Sequence, residues 1–421
     1  MANALQQQFD DLRMRGGSGG KSTSDVSLAL SQAILSHGAA IKASDIHIEP
    51  AATGARVRFR VDGILHEMLK VPVEISEPLI RSIKVKANMV TDATGRSKPQ
   101  DSRLAYEWNE RKLDLRLSSF PTLFGDVLAI RILDRSAPLR PLDQLGWAPG
   151  VFESFERLIR RPNGLILVTG PTNSGKTTTL YAALNVLRSP HLKIVTLEDP
   201  VEYQVDGIDQ AQINPAVGVT FASGLRAILR QDANILLVGE IRDTETADIA
   251  IRAALTGHLV FSTMHTRHSL GAITRLLDMG IEPHLIVASV TGIIAQRLVR
   301  VLCAKCKTPD PMAAEAFERI WQQETGAPPP TGLAGTGLHR GGGCAACNQT
   351  GYIGRIGIFE LLVLSEEIKR LLLDRTAGPL YKTLMSSGHL QTMLLDGLRK
   401  AAQGLTSIEE VLRVTGESDD N

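Results

Sequence analysis

The arrangement of apolar and polar positions changes character twice along this 421-residue chain. From Asp25 the segment DVSLALSQAILSHGAAI spaces its apolar residues at helical intervals. Three shorter runs follow, DIHIEP, ARVRFRVDGIL and RKLDLRLSSF, in which apolar and polar residues alternate as in strands buried on one face. Beyond SAPLRPLDQLGW the alternation gives way to unbroken apolar runs, LILVTG, KIVTLED, NILLVGE and HLVFSTMH, separated by helical patterns. Strands buried on both faces of a parallel sheet read this way. After Cys303 come a cysteine-bearing insert and the Pro/Gly-rich loop GAPPPTGLAGTGLHRGGG. From about Leu364 the pattern is again that of amphipathic helix, with Thr406 or Ser407 placed to cap the helix of TSIEEVLRV.

These changes predict a flexible N-terminal tail over 1–24, ending in RGGSGGKSTS, then an α+β domain over 25–140 and a parallel α/β domain over 141–300. A small cysteine-bearing subdomain over 301–361 and a helical region over 362–421 complete the expected order. The chain is longer than one hydrophobic core usually organises, which agrees with several domains.

Charge and composition narrow the classes. Lys and Arg total 46 against 45 Asp and Glu, and aromatic residues make up 4%, so neither a whole-chain field for nucleic acid nor a stacking platform is present, and no nucleic-acid partner is expected. The longest apolar stretch, Leu285 to Ala295, is shorter than the roughly 20 residues a membrane-spanning helix needs. The start MANALQQQFDDLRMR has no apolar signal core. The expectation is a cytoplasmic protein, and cysteines confined to two Cys-x-x-Cys pairs fit a reducing compartment.

The first candidate chemistry lies in GPTNSGKT. Gly170, Gly175, Lys176 and Thr177 satisfy G-x-x-x-x-G-K-[ST] directly after an apolar strand and before a helix. In that context the backbone N–H groups of Gly170, Pro171's neighbours Thr172, Asn173 and Ser174, and the helix start at Gly175 to Thr178 cradle phosphate, while the Lys176 ammonium adds a movable charge. Thr177 would offer its hydroxyl to Mg²⁺, so the expected ligands are ATP and Mg²⁺.

Two carboxylates follow apolar strands at the end where open α/β sheets place ligand chemistry. Glu240 in NILLVGE is the candidate for holding Mg²⁺, and Glu198 in TLEDPVEY for orienting or deprotonating water. Glu202 reads equally as a solvated loop charge. His258 and His265 bracket the strand in TGHLVFSTMHT, seven residues apart and hence on opposite faces. Cys303, Cys306, Cys344 and Cys347 supply four thiolates, enough for one closed tetrahedral zinc site in an insert with little core of its own. Redox pairs and iron–sulfur ligation compete with zinc, since the 37 residues between the pairs exceed the commonest zinc-ribbon spacing.

From Asp25 onward these motifs, in this order, resemble the secretion ATPases that drive bacterial type II secretion and type IV pilus assembly. ASDIHIEP and RFRVDGIL look like that family's N-terminal-side domain, TLEDPVEY like its aspartate box, RQDANILLVGEIRD like its atypical Walker B segment and TGHLVFSTMHT like its histidine box. The resemblance implies a RecA-like P-loop ATPase domain preceded by a PAS-like α+β domain, with the zinc subdomain of the assembly branch and a C-terminal helical region. It gives Glu198 and Glu240 the water-activating and magnesium-linked roles, and His258 and His265 the sensing of the γ-phosphate end. It assigns Arg103 and Arg116, with Arg131 behind them, to reaching the nucleotide as arginine fingers do, and ranks Arg226 and Arg230 below them as inter-subunit contacts. One departure is Asn173, where the family usually has Gly. Asn tolerates left-handed backbone better than most residues.

The resemblance further implies a hexamer peripheral to the inner membrane, working on a platform protein and on a membrane-anchored docking protein. About 24 residues precede the shared region here, fewer than the docking domain of larger members requires. Two other readings stand beside the motor: a nucleotide-gated scaffold with little turnover, and a nucleic-acid translocase with a zinc ribbon.

Overall fold

In the first segment of the chain, alternation of side chains across a strand decides which residues are buried. The computed structural model describes residues 2–18, 22–92, 98–134, 139–330, 333, 337–373, 384 and 390–416. Its contacts divide into two units, Met1–Pro138 and Leu139–Asn421.

The first unit contains α1 (Ala2–Ser18), α2 (Thr23–Ala40), β1 (Asp45–Ala51), β2 (Gly54–Val61), β3 (Ile64–Val71), α3 (Val73–Lys86), β4 (Gln100–Trp108), β5 (Arg111–Thr122) and β6 (Gly125–Asp134). The strands form one antiparallel sheet in the order β3-β2-β1-β6-β5-β4. Ile46, Ile48, Val57, Phe59, Leu115, Leu117 and Ile130 lie in one core with Leu30 and Ile34 of α2 and Leu79 and Ile83 of α3. Ser22 and Asp25 cap α2 reciprocally, which starts the helix where the sequence places it.

The stretch expected as a flexible tail carries α1, and that expectation is corrected. Leu5 and Phe9 are buried and Leu12 packs beside them, an apolar stripe at helical spacing. Residues 19–21 of the glycine stretch lie outside the described residues.

The second unit contains α4 (Pro149–Ile159), β7 (Gly164–Thr169), α5 (Lys176–Leu187), β8 (Ile194–Glu198), β9 (Asp209–Gln212), α6 (Phe221–Ile228), β10 (Ile235–Val238), α7 (Thr244–Leu255), β11 (Leu259–Met264), α8 (Ser269–Asp278), α9 (Pro283–Ser289) and β12 (Val290–Leu302). It continues with β13 (Lys307–Pro309), α10 (Ala313–Thr325), β14 (His339–Gly341), β15 (Tyr352–Val363), α11 (Glu366–Leu373), α12 (Met393–Ala402) and α13 (Ile408–Thr415).

Its main sheet runs β15-β12-β7-β11-β10-β8-β9, parallel throughout except for β15, which returns antiparallel along β12. Every residue of β7 is buried. Leu165 and Leu167 face a core shared with α6, α7 and α8, whereas Ile166 and Val168 face α4 and α5. Coverage on both faces is why these strands read as unbroken apolar runs. Thus the fold is mixed α/β, with a RecA-like sheet in the second unit. The apolar stretch Leu285 to Ala295 divides between α9 and β12, and no helix among the described residues is long and apolar enough to cross a membrane. Ser407 is the residue that caps α13, accepting from the N–H of Glu410.

Candidate functional site

β7 lies in the interior of its sheet and ends at Thr169, so the loop that follows opens at the carboxyl end of the parallel strands. Gly170 has φ of 151° and a Cβ there would stand 2.6 Å from the Gln296 carbonyl oxygen, which excludes any side chain. Gly175, at φ 90°, turns the chain into α5. Asn173 occupies the left-handed region at φ 64°, a conformation that Asn reaches at lower cost than most residues with a Cβ. The Lys176 ammonium arches back over the loop, donating to the carbonyls of Gly170 at 2.8 Å and Pro171 at 2.9 Å. Burial lowers its pKa to about 8, with Arg297 adding to the effect and Glu240 opposing it.

The loop is held from below on both sides. Thr169 donates to the Met264 carbonyl at 3.1 Å and accepts from the Thr266 N–H at 2.8 Å, joining β7 to the segment beyond β11. Gln296 of β12 donates through Nε2 to the Ser174 carbonyl at 2.8 Å.

The two candidate carboxylates occupy different surroundings. Glu198 is 4% exposed, and its oxygens accept from Tyr181 at 2.5 Å, Thr196 at 2.6 Å and Gln210 at 3.4 Å. Burial raises its carboxyl above the usual range, and those hydrogen bonds oppose the shift. Glu240 stands two residues past β10, where its Oε1 meets Arg242 at 2.5 Å and its Oε2 lies 3.6 Å from His265 Nε2. Oε2 is inaccessible to solvent and accepts no hydrogen bond among the described residues. A carboxylate oxygen left in this condition beside a phosphate cradle suits a cation, so the donor set fits magnesium.

His265 follows β11 directly, and burial lowers its pKa, aided by Lys176. The two histidines do not share this site. Parallel pairing of Leu259 with Gly164 and Met264 with Thr169 puts His258 at the opposite end of the strand from the loop, about 20 Å away at strand rise, where its Nδ1 meets the Ala253 carbonyl at 3.0 Å. A six-residue strand cannot bring both of its flanks to one phosphate.

In the first unit, register places Arg60 opposite Asp45, Asp45 opposite Arg131, Arg131 opposite Arg116 and Arg116 opposite Arg103. Directly opposed residues point to the same face, so four arginines and one aspartate form a row across five strands. Asp45 bridges Arg60 at 3.4 Å and Arg131 at 3.2 Å. Of the second-ranked pair, Arg226 binds Glu245 at 2.5 Å and Arg230 donates to the Arg226 carbonyl.

The four cysteine sulfurs lie within 4.8 Å of one another, with Cys303 and Cys344 at 3.9 Å and Cys306 and Cys347 at 3.8 Å. A tetrahedral Zn²⁺ with bonds of about 2.3 Å requires sulfur spacings of about 3.8 Å. The set therefore fits zinc. Burial raises the Cys347 thiol, but the N–H groups of Cys344 and Gly351, each 3.2 Å from its sulfur, outweigh this and bring it down to about 6. Such donors favour a thiolate ligand.

Sequence reasoning overlooked Gln296, Tyr181, Arg242 and the Thr169–Thr266 pair. For Gln296 the signal was available: TGIIAQR breaks an apolar run with two polar residues, much as Glu240 ends the run in NILLVGE.

The sheet order, the cradle and its acidic partner define a P-loop protein with RecA-like topology. The chain belongs to the family described as type II/IV secretion system protein, whose profile matches residues 21–413. It is 47% identical over 383 residues to the type II secretion system ATPase E of Vibrio cholerae, covering 90% of this chain and 74% of that protein. Against the type II secretion system protein E of Dickeya dadantii it is 46% identical over 391 residues, covering 93% and 76%. Among solved structures, the pilus retraction motor PilT with bound ADP aligns at a TM-score of 0.60 and 25% identity, over 91% of this chain and 96% of that one. The ATPase DotB of Yersinia pseudotuberculosis, at a TM-score of 0.66 and 20% identity over 92% and 93%, shares the fold.

Proposed function

We propose that this chain is the subunit of a magnesium-dependent, ATP-hydrolysing hexameric motor that powers assembly of a type II secretion pseudopilus or a type IV pilus from the cytoplasmic face of the inner membrane. The observation that carries the reading is the meeting of Lys176, Glu240 and His265 around a phosphate cradle, in a chain close to half identical to a type II secretion ATPase.

Lys176 and the N–H groups of residues 172–178 bind the phosphates. Thr177 and Glu240 would hold magnesium, which when bound would supply positive charge to offset that of the phosphates. Glu240 orients the attacking water and receives its proton, and His265 reports the γ-phosphate to Glu240. Glu198 shapes the site through Tyr181. Arg103 and Arg116 neutralise charge on the transferring phosphoryl group. Loss of the γ-phosphate removes the differential contacts that hold one conformation, and the platform protein receives the resulting motion. The left-handed Asn173 fits its turn, so it gives no support to a scaffold without turnover.

The test is Mg²⁺-dependent ATP hydrolysis against protein concentration, with oligomeric state recorded alongside. Turnover per subunit that rises on assembly, and is lost in Glu240→Gln and Arg116→Ala, supports the motor. Assembly and nucleotide binding without turnover in the parent chain would remove it in favour of the scaffold.

A further inference from the structure

Two consecutive residues of β12 hold the two loops on which the proposed chemistry depends. Gln296 is 1% exposed, and it donates to the Ser174 carbonyl inside the phosphate loop. Its own backbone carbonyl abuts Gly170, and its amide nitrogen would stand 3.0 Å from a Cβ on Gly175. Both glycines of the motif therefore rest against this one residue. Arg297 donates to the Gln296 carbonyl at 3.0 Å and, with its other nitrogen, to the Arg267 carbonyl at 2.8 Å. Arg267 is two residues beyond His265, so Arg297 holds the loop that presents His265 to Glu240.

β15 strengthens the same support. Glu360 is 1% exposed and accepts from both the N–H and the hydroxyl of Ser269, at 2.7 and 2.5 Å, at the start of α8. One end of the segment 265–269 is thus fixed by Thr169, the middle by Arg297 and the other end by Glu360. At this contact Gln296 Oε1 and Ser174 Oγ are buried without hydrogen bonds to described residues. An orphaned buried acceptor is unfavourable. A Met or Leu at position 296 would leave the Ser174 carbonyl without this donor, so the contact with the phosphate loop accounts for Gln.

The geometry points to Gln296 and Arg297 as positioning residues for nucleotide turnover: Gln296 fixes the phosphate loop in its binding shape, and Arg297 fixes the His265 loop against Glu240. The inference rests on the nucleotide reading of the loop given above. It assigns the two residues separable effects, because one holds the part that binds and the other the part that reacts.

The experiment uses the full chain with N-methylanthraniloyl-ADP as the binding probe, steady-state ATP hydrolysis and thermal melting, comparing the parent with Gln296→Met and Arg297→Met. Gln296→Met keeps side-chain length and removes the hydrogen bond, and Gln296→Leu replaces it should the first not accumulate as folded protein. The expected result is a Kd for the probe raised about tenfold by the change at 296, and a kcat lowered about tenfold at 297 with Kd within about threefold of the parent. Variants that melt at lower temperature yet keep the parent's Kd and kcat overturn the inference and leave the nucleotide reading standing. A parent chain that binds no probe overturns both.

Discussion

The ends of β8 and β10 present the same local sequence logic and different outcomes. Both are short, buried, neighbouring parallel strands in register, Val238 opposite Leu197, and each has a glutamate at or just past its end. Glu198 continues its strand, so alternation carries it with Thr196 to the face where Tyr181 of α5 waits. Gly239 delays Glu240 by one residue, which takes it past the strand to the mouth of the sheet, beside Lys176 and His265. A spacing of one residue thus separates a carboxylate enclosed by hydroxyls from one that addresses phosphate.

The strongest way to break this comparison is to neutralise each carboxylate. Glu240→Gln should lower kcat by about 100-fold or more while nucleotide binding persists, a range typical of a lost general base. An equal loss from Glu198→Gln would erase the distinction. The next effect is in pH. Lys176, lowered to about 8, loses its charge as pH rises through that value, so ATP affinity of the free protein should fall between about pH 8 and 9.5. Because the Glu240 charge raises Lys176, Glu240→Gln should move this limb to lower pH and Glu198→Gln should leave it in place. Binding titrations across pH separate the cases.

Histidine substitutions sharpen the picture at smaller amplitude. His265→Ala should reduce kcat about tenfold, and His258→Ala should act on stability with kcat within about threefold, as steady-state rates and melting curves would show. Smallest is the stability effect of Glu198. Its raised carboxyl means that the fold prefers the neutral acid: that contribution is complete below the usual carboxylate range and is lost as pH rises through the raised value. Glu198→Gln should therefore melt above the parent at pH 8, and the difference should close near pH 4.

How much of this was legible depended on burial. The central strands of the second unit read clearly because both faces are covered, and the phosphate loop read clearly because few other contexts require two glycines, a lysine and a hydroxyl at that spacing. α1 was missed although Leu5, Phe9 and Leu12 carry the helical spacing, since the glycines after it dominated the reading. β12 was obscured by a helix-like apolar stretch that in fact changes from α9 to strand at Val290. The separation of His258 from His265 was already implied by their bracketing one strand, whereas the choice between Glu198 and Glu240 depends on a partner on α5, a tertiary fact that no local pattern contains.

The pairing of Leu302 with Tyr352 has a consequence for how this molecule can change in length. Everything from Cys303 to Gly351, with α10 and all four cysteines, leaves and re-enters the sheet through one rung, so the excursion is a removable cassette whose ends already meet. Replacing it with a short turn would keep the β12–β15 ladder but uncover Ala295 and Val299 of β12 and Ile358 of β15, which share a core with Phe317 and Trp321. Its loss would be felt on α10's neighbours, where Phe317 and Trp321 share a core with Leu398 and Ala401 of α12 and Glu324 accepts from Thr392. A shortened descendant would need polar substitutions on α12 and on the uncovered face of β12 and β15 alike.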